Sequence, residues 1–528
     1  MTLSRVIRHG LVHDGLGAEP RRVDIGIEGD RIVAVGDIPA TDCAEIDAAG
    51  LVVAPGLINV LSQAWQTIQL DGTCQSDLVQ GVTTEVFGEG VSLGPSSPAL
   101  LDMVPMRAGT RLDFPRLSDG LDHIEARGTS VNVASFIGGH NLRALAVGAD
   151  DRPLTENELR ALCTLVDEEM TDGALGIATA LIYAPESYAT TAELTKLATV
   201  VGRHDGLYIS HLRSEGDRLL ESLDELIDIG RVARCRAEVY HLKAAGTRNH
   251  DKMSMAIERI KEVRAAGQQV SADMYPYVAA CTDLAAAIPP HYHAGGPAAL
   301  LDRLADPVVR AEIVTELDAD YGDFENLFAG AGRGRGIVFL RDLANGTAAA
   351  GRTLEEVAAA LGIANPAVAL LEIVRVDPTS QVCYFVMSEE NVQRGLVEPW
   401  VSVCSDAEAF GPGSPIDDLT HPRAYGSFAR ILGHYSRDLG LFTLAEAIRK
   451  MTSLPADTLR LTDRGRLVPE AFADLIIFDP ATVRDVAGYE EPRRYATGMR
   501  HVLVNGEPVL ADGQVLPARP GRRLRRGR

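Results

Sequence analysis

Short β-prone runs and amphipathic segments alternate through most of this chain. The alternation is clearest from residue 207 to residue 243. Leu207-Tyr-Ile-Ser-His211 is β-prone, Leu219, Leu220, Leu223, Leu226 and Ile227 recur at helical spacing, and Ala237-Glu-Val-Tyr-His241 is β-prone again. Strand, helix and strand over so short a stretch make a βαβ unit, whose two strands lie parallel. The same rhythm predicts strands at Leu51–Leu61, Thr83–Phe87, Ser130–Phe136, Leu175–Leu181, Leu207–His211, Glu238–His241, Gln269–Met274 and Trp400–Ser405. Eight such runs, most followed by an amphipathic segment, predict an α/β fold built on a closed (β/α)8 TIM-like barrel. A doubly wound open sheet is the rival. No Gly-x-Gly-x-x-Gly closes the first βα turn and no Gly-Lys-Ser loop occurs, so nucleotide binding has no support.

The two ends have a different texture. Val23–Ile27 and Arg31–Val35 flank the turn signal Glu28-Gly29-Asp30, and Phe472–Phe478 precedes a hairpin centred on Asn505-Gly506. Neither end buries a core alone, so we expect one small β-sandwich over residues 1–55 and 465–528, with the barrel over 56–464. The gap between the seventh and eighth strands is far longer than the others. It carries helix-like runs at Pro297–Leu304 and Thr353–Leu361, and predicts an inserted lid or subdomain over 284–398.

At 528 residues with 46% hydrophobic content, 50 Gly and 27 Pro, the composition fits a large loop-rich enzyme with a satellite domain. A net charge of −22 argues against nucleic acid. The arginines at 519, 522, 523, 525, 526 and 528 read as a solvated tail. Seven cysteines without a CxxC pair indicate reduced thiols in a cytoplasmic protein. Neither an apolar signal core at Met1–His9 nor a membrane-length apolar run is present, so no membrane association is expected.

In a barrel the C-terminal strand ends face the active site. Those ends carry Glu89, His140, Tyr183, His211, His241 with Lys243, Tyr275 and Asp406. Two imidazoles and a carboxylate make a catalytic zinc set with a position left open for water, and a second carboxylate can carry a proton. Each residue also has an ordinary reading. Glu89 can be a turn acid, Asp406 a helix cap, His140 a loop residue and Lys243 a surface lysine, while Tyr188, His204 and His250 read as structural.

Val53-Ala-Pro-Gly-Leu-Ile-Asn59, the two His-Leu-basic motifs and Ser405-Asp406 resemble the amidohydrolase superfamily. Gln80-Gly-Val-Thr-Thr, Ser210-His-Leu-Arg-Ser-Glu-Gly, His241-Leu-Lys, Tyr275-Pro-Tyr and His421-Pro-Arg-Ala-Tyr-Gly-Ser-Phe resemble its N-acyl-D-amino-acid deacylases. The resemblance spans nearly the whole chain. It implies His211 and His241 as metal ligands, with Glu89 where the family usually has cysteine. Asp406 would be the catalytic acid/base and Tyr275 an oxyanion donor. Tyr183, Lys243 and Arg423 would hold the substrate carboxylate, and Cys281 stands where the family often has serine.

One departure stands out. The superfamily's first strand ends in His-x-His, whereas this chain has Leu61-Ser-Gln63, and no lysine occurs in Leu175–Leu181 to bridge two ions. Both point to one divalent ion, zinc being expected. The expected activity is hydrolysis of the amide bond of N-acyl-D-amino acids or related D-configured amides. The alternatives are a two-metal cyclic-amide hydrolase of the hydantoinase or dihydropyrimidinase type, and a metal-free non-catalytic barrel. The expected partner is a small-molecule substrate.

Overall fold

The computed structural model describes residues 3–412 and 419–527 and is mixed α/β. Eight strands run parallel: β1 (Leu57–Asn59), β2 (Val82–Phe87), β3 (Asn132–Ser135), β4 (Gly176–Ala180), β5 (Leu207–His211), β6 (Arg236–Val239), β7 (Val270–Met274) and β8 (Val401–Val403). Each pairs with the next in sequence; β3 reaches β4 through its continuation Ile137–Gly138. Ser62, just past β1, forms a parallel bridge with Ala407, just past β8. The strands are buried on both faces, with polar side chains such as Glu85, Asn132, Glu238 and Asp273 among the apolar ones. Ile58, Ala134, Ala178, Leu207 and Ile209 belong to one interior cluster.

Six of the eight strands fall within the expected runs, β2 starts one residue earlier and β6 two residues earlier than expected, ending at Val239 short of His241; Leu51–Leu61 is two strands rather than one. Val52–Pro55 pairs with Leu475–Phe478 and Leu11–Val12, whereas β1 pairs with β2. The chain changes sheets at Gly56, where a Cβ would lie 2.2 Å from Thr83 Oγ1. Periodicity alone cannot mark that break, since both halves are buried and apolar.

Strands from both ends of the chain share one seven-stranded sheet. It contains Leu11–Val12, Arg21–Arg22 and Val52–Pro55 beside Leu475–Phe478, Met499–Val504, Glu507–Ala511 and Gln514–Val515. A four-stranded sheet (Arg5–Arg8, Asp24–Glu28, Arg31–Gly36, Ala44–Asp47) shares with it the cluster of Ile7, Ile25, Ile32, Val53, Leu475 and Ile477. Both expected turns form: Glu28 pairs with Arg31, and Val504 with Glu507 across Asn505 and Gly506, whose positive φ of 50° and 79° suits a tight hairpin.

Between β7 and β8 lies a three-stranded antiparallel sheet, Ala280–Asp283, Gln381–Tyr384 and Ile337–Phe339, with helices Pro297–Ala305, Pro307–Leu317, Leu354–Ala360 and Pro366–Val376. It has its own apolar cluster, including Leu304, Ile313, Phe339, Leu370 and Tyr384. Thr353 and Glu356 form a capping box at the third helix, which explains why that run was legible.

The arginine-rich C-terminus is not a solvated tail. It runs beneath the N-terminal ends of the parallel strands, with Leu524 N–H donating to Val133 O at 2.8 Å and Arg523 to the Asp122 carboxylate at 2.8 Å. Arg522 pairs with Asp30, and Arg526 donates to carbonyls of Met170, Ala174 and His204. Guanidinium groups here satisfy carbonyls at helix C-terminal ends and in the loop before β4. Arg528 lies outside the described residues. Leu524 joins the interior cluster with Leu175 and Leu207, so it seals the end opposite the strand C-termini. Leu524→Ala is expected to lower unfolding free energy by about 2 kcal/mol in urea denaturation, and an unchanged midpoint would show that the seal carries no stability.

Asp77 and Glu85 are fully buried, and Asp77 Oδ2 and Glu85 Oε1 have no other partner among the described residues. Burial, reinforced by the charge of Glu85, holds the Asp77 carboxyl well above its usual range, so the pair retains a proton. The unfolded chain releases that proton from about pH 4 upward, so stability falls as pH rises through this window. Asp77→Asn is expected to flatten that decline. Unfolding free energies measured at about pH 5 and about pH 8 should differ less in the variant than in the parent.

Candidate metal centre and active site

Because β1 lies between β2 and β8, the residues just past its end sit between those just past theirs. Ser62 N–H donates to Val86 O and Gln63 N–H to Ala407 O, each at 2.9 Å, which fixes Gln63 between Glu89 and Asp406. Glu89 projects from Gly88-Glu-Gly90, where both glycines have positive φ (125° and 65°), and a Cβ at Gly88 would lie 2.8 Å from Phe136 O. The tight loop aims the carboxylate inward rather than leaving it as a surface turn acid.

Glu89 Oε1 stands 3.2 Å from Nδ1 of His211 and 2.8 Å from Nε2 of His241. These three donors lie within 4.8 Å of one another, and the residues are buried or nearly so. His211 ends β5. His241 follows β6 with φ of 34°, held by its N–H donating to Asp273 Oδ1 at 2.9 Å. The opposite ring nitrogens meet a single carboxylate. Glu215 Oε2 is 3.3 Å from His211 Nε2, and Glu215 Oε1 is 3.0 Å from His241 Nδ1 and 2.6 Å from Lys243 Nζ. Anchoring the far nitrogen of each imidazole to a carboxylate is how metal-binding histidines are held in orientation and tautomer.

The electrostatics ask for a cation. Burial opposes ionisation of Glu89, yet the two imidazoles hold its carboxyl well below the usual range. Burial and Lys243 oppose charge on His241, but Glu215 and Glu89 outweigh them and push it up to about 10. Burial likewise opposes charge on His211, and Glu215 raises it. The buried carboxylates thus draw positive charge onto the two rings, and a divalent ion meeting neutral imidazoles would supply that charge instead. One oxygen and two imidazole nitrogens suit a divalent ion of the zinc type.

Across Gln63 stands Asp406, with φ of 46° and its N–H donating to Leu61 O at 2.9 Å. Its Oδ2 lies 2.7 Å from Arg423 Nη1, so it is not a helix cap. Arg423 opens the helix Arg423–Arg430, and its guanidinium lies 4.6 Å from the Tyr275 ring centroid. Its Nε and Nη1 are buried without an aligned hydrogen bond. Behind it, His421 Nδ1 accepts the Arg423 backbone N–H at 3.0 Å, while Nε2 lies 3.0 Å from Ala279 O. Burial and Arg423 keep that imidazole neutral. Tyr275 is buried and, among the described residues, its hydroxyl meets only the Met387 sulfur at 3.6 Å, whereas the Tyr183 hydroxyl donates to Thr282 Oγ1 at 3.0 Å.

Glu89, His211, His241, Lys243, Tyr183, Tyr275, Asp406 and Arg423 therefore all line one cavity of about 540 Å³, together with Gln63, Glu215, His140 and Cys281. Glu215 and Gln63 had no role in the sequence reading. Glu215 lies four residues after His211, a spacing that hints at a carboxylate behind a ligand. Gln63 carried no signal beyond its place in the His-x-His position. Tyr188, His204 and His250 make structural contacts with Pro290 O, Asp167 and Val386 O.

Parallel strands whose C-terminal ends converge on an imidazole–carboxylate cluster define a class of metal-dependent hydrolases. The chain belongs to the amidohydrolase family, which it matches over residues 44–510. Within that family it is 35% identical to a D-aminoacylase of Alcaligenes xylosoxydans xylosoxydans, over 98% of this chain and 96% of the relative. A solved D-aminoacylase, described by one-metal activation and second-metal attenuation of a binuclear centre, superposes with a TM-score of 0.83 at 33% identity, covering 99% of this chain and 100% of that one. N-acyl-D-glutamate deacylase from Bordetella bronchiseptica, solved with zinc and a phosphonate mimic of the tetrahedral intermediate, gives a TM-score of 0.81 at 30% identity, covering 99% and 100%.

Replacing Glu215 with Gln keeps the volume and removes the charge that both imidazoles face. Affinity for a divalent ion, measured by competition with a chelator, is expected to weaken about 10- to 100-fold; an unaltered affinity would exclude Glu215 as the orienting group.

Proposed function

We propose that this enzyme hydrolyses the amide bond of N-acyl-D-amino acids or related D-configured amides, using one divalent ion, zinc, held by Glu89, His211 and His241. The observation that carries this reading is the convergence of Glu89 Oε1, His211 Nδ1 and His241 Nε2, with a second carboxylate, Asp406, one side chain away. When bound, the ion supplies Lewis acidity toward the amide carbonyl and makes water a stronger acid.

The protein's own groups do the rest. Asp406 removes a proton from the attacking water and delivers it to the departing amine nitrogen, so the carboxylate is regenerated in each turnover. Tyr275 donates its hydroxyl hydrogen to the developing oxyanion; among the described residues its partner at rest is a weak sulfur acceptor, which leaves that hydrogen free to turn. Arg423, whose buried Nε lacks an aligned partner, and Lys243, with N–H groups to spare beyond Glu215, fix the substrate carboxylate, and Tyr183 closes the same side. A cyclic-amide hydrolase working through two ions is disfavoured, because Leu61 is buried in the apolar interior.

The matching architecture is a closed (β/α)8 barrel over 56–464, a β-sandwich from 1–55 and 465–528, and a lid over 284–398. It is supported by the parallel pairings, by the bridge between Ser62 and Ala407, and by the separate apolar cluster of the insertion. No helix among the described residues is long and apolar enough to cross a membrane. A cytoplasmic location goes with this reading, supported by seven free cysteines.

Asp406→Ala is expected to lower kcat by about 10²- to 10⁴-fold while elemental analysis finds the ion still bound. The parent enzyme, assayed on matched D and L N-acyl amino acids, is expected to act on the D series. Turnover surviving in the variant removes Asp406 from its role, and hydrolysis confined to the L series removes the proposed substrate class.

A further inference from the structure

Gln63 stands where superfamily members place the second histidine of a metal-binding pair, and its side chain does something definite there. Nε2 lies 2.6 Å from Glu89 Oε2 and 3.3 Å from Asp406 Oδ1. Only the amide nitrogen can face two carboxylate oxygens, since a carbonyl oxygen would meet like charge, and its two N–H bonds serve one acceptor each. Leu61, the other position of that pair, is fully buried in the apolar interior beside Ile58 and Val86. It offers no ligand atom.

We infer that the Gln63 amide takes the place of a second metal ion, closing that subsite and holding Asp406 in register with Glu89. The inference rests on the single-ion hydrolase reading above. A second cation would have to lie among Glu89, position 63 and Asp406, and two of those three are carboxylates that attract one. A neutral donor hydrogen-bonded to both satisfies the oxygens without adding a ligand. Carbon lines the side where the first histidine of the pair would stand. The residues around Gln63 therefore do not fit an ion at that subsite; the other donor group beside the first centre, His211 with Glu215 and Glu325, lies on the far side of the His211 ring. The related D-aminoacylase, whose second metal attenuates it, marks what this substitution would avoid: the enzyme should keep full activity in excess metal. Gln63 is a positioning residue in this account. It touches both carboxylates and acts on the reaction only through them.

The test is a zinc titration of the full-length protein after metal depletion, counting bound ions per chain by elemental analysis and following kcat and KM. The expected result for the parent is saturation at one ion, with kcat flat as zinc rises further. Two bound ions would overturn this inference and leave the hydrolase reading standing, whereas none would overturn both. Gln63→Glu, nearly identical in shape, is expected to take up a second ion and to lose activity in excess zinc; a count held at one would show that Gln63 does not close the subsite. Gln63→Leu is expected to keep one ion and a KM near that of the parent while kcat falls by about 10²-fold. Parental kcat in that variant would overturn the positioning role.

Discussion

Glu89, Glu215 and Asp406 are among the carboxylates that line one cavity, and much of the site follows from meeting their charge. An uncompensated buried charge costs on the order of several kcal/mol, so each must be met by a donor or a cation. Glu215 takes Lys243 and both imidazoles, Asp406 takes Arg423, and Gln63 bridges Asp406 to Glu89. What remains unmet is the face of Glu89 turned toward His211 and His241. A cation placed there would meet the one face of Glu89 that Gln63 does not reach.

Holding this much charge in register needs backbone that does not yield. His241 and Asp406 both adopt positive φ without being glycine, a conformation costing roughly 1–3 kcal/mol each unless the surroundings enforce it. The enforcement is visible in both cases: Asp273 accepts the His241 N–H, and Leu61 O accepts the Asp406 N–H. Each strained residue is thus pinned by the neighbouring strand end. Parallel pairing, with the first and last of the eight parallel strands bridged past their ends by Ser62 and Ala407, is what puts a neighbour on both sides. At the opposite end, the arginine-rich segment and Leu524 satisfy carbonyls and fill the interior, so the strands are fixed at the end that does no chemistry.

Much of this was legible in the sequence, and what was not has a physical reason. The strands were readable as β-prone runs between amphipathic segments, and β5 and β6 announced themselves by a repeated β-prone run leading to a histidine. Glu89 was readable only as a carboxylate at a strand end; the loop that turns it inward depends on Gly88 packing against Phe136, a contact far away in sequence. Gln63 and Glu215 were missed as participants because a glutamine and a second-layer glutamate have no spacing signature of their own. Their roles arise from which strand ends become neighbours. The terminal arginines were misjudged for a related reason: a cluster of like charges reads as solvated until the carbonyls it will cover are known. The break at Gly56 was hidden because both sheets it joins are apolar.

The cavity also explains why a segment with its own core sits between β7 and β8. The parallel strands supply the charged wall, but Thr282, Asp283, Leu300, Leu327 and Tyr384 of the insertion and its leading strand supply the facing one. The two halves are joined by side chains: the Tyr183 hydroxyl, past the end of β4, donates to Thr282, and Tyr275, past the end of β7, rests against Met387. Because the insertion's apolar cluster is built largely from its own helices and three-stranded sheet, its cavity-facing residues can change without disturbing the strand ends that position the ionised groups. The ionised strand-end groups and the facing wall thus come from different segments that meet at one cavity. That arrangement keeps the reacting groups constant while the shape that admits a substrate varies.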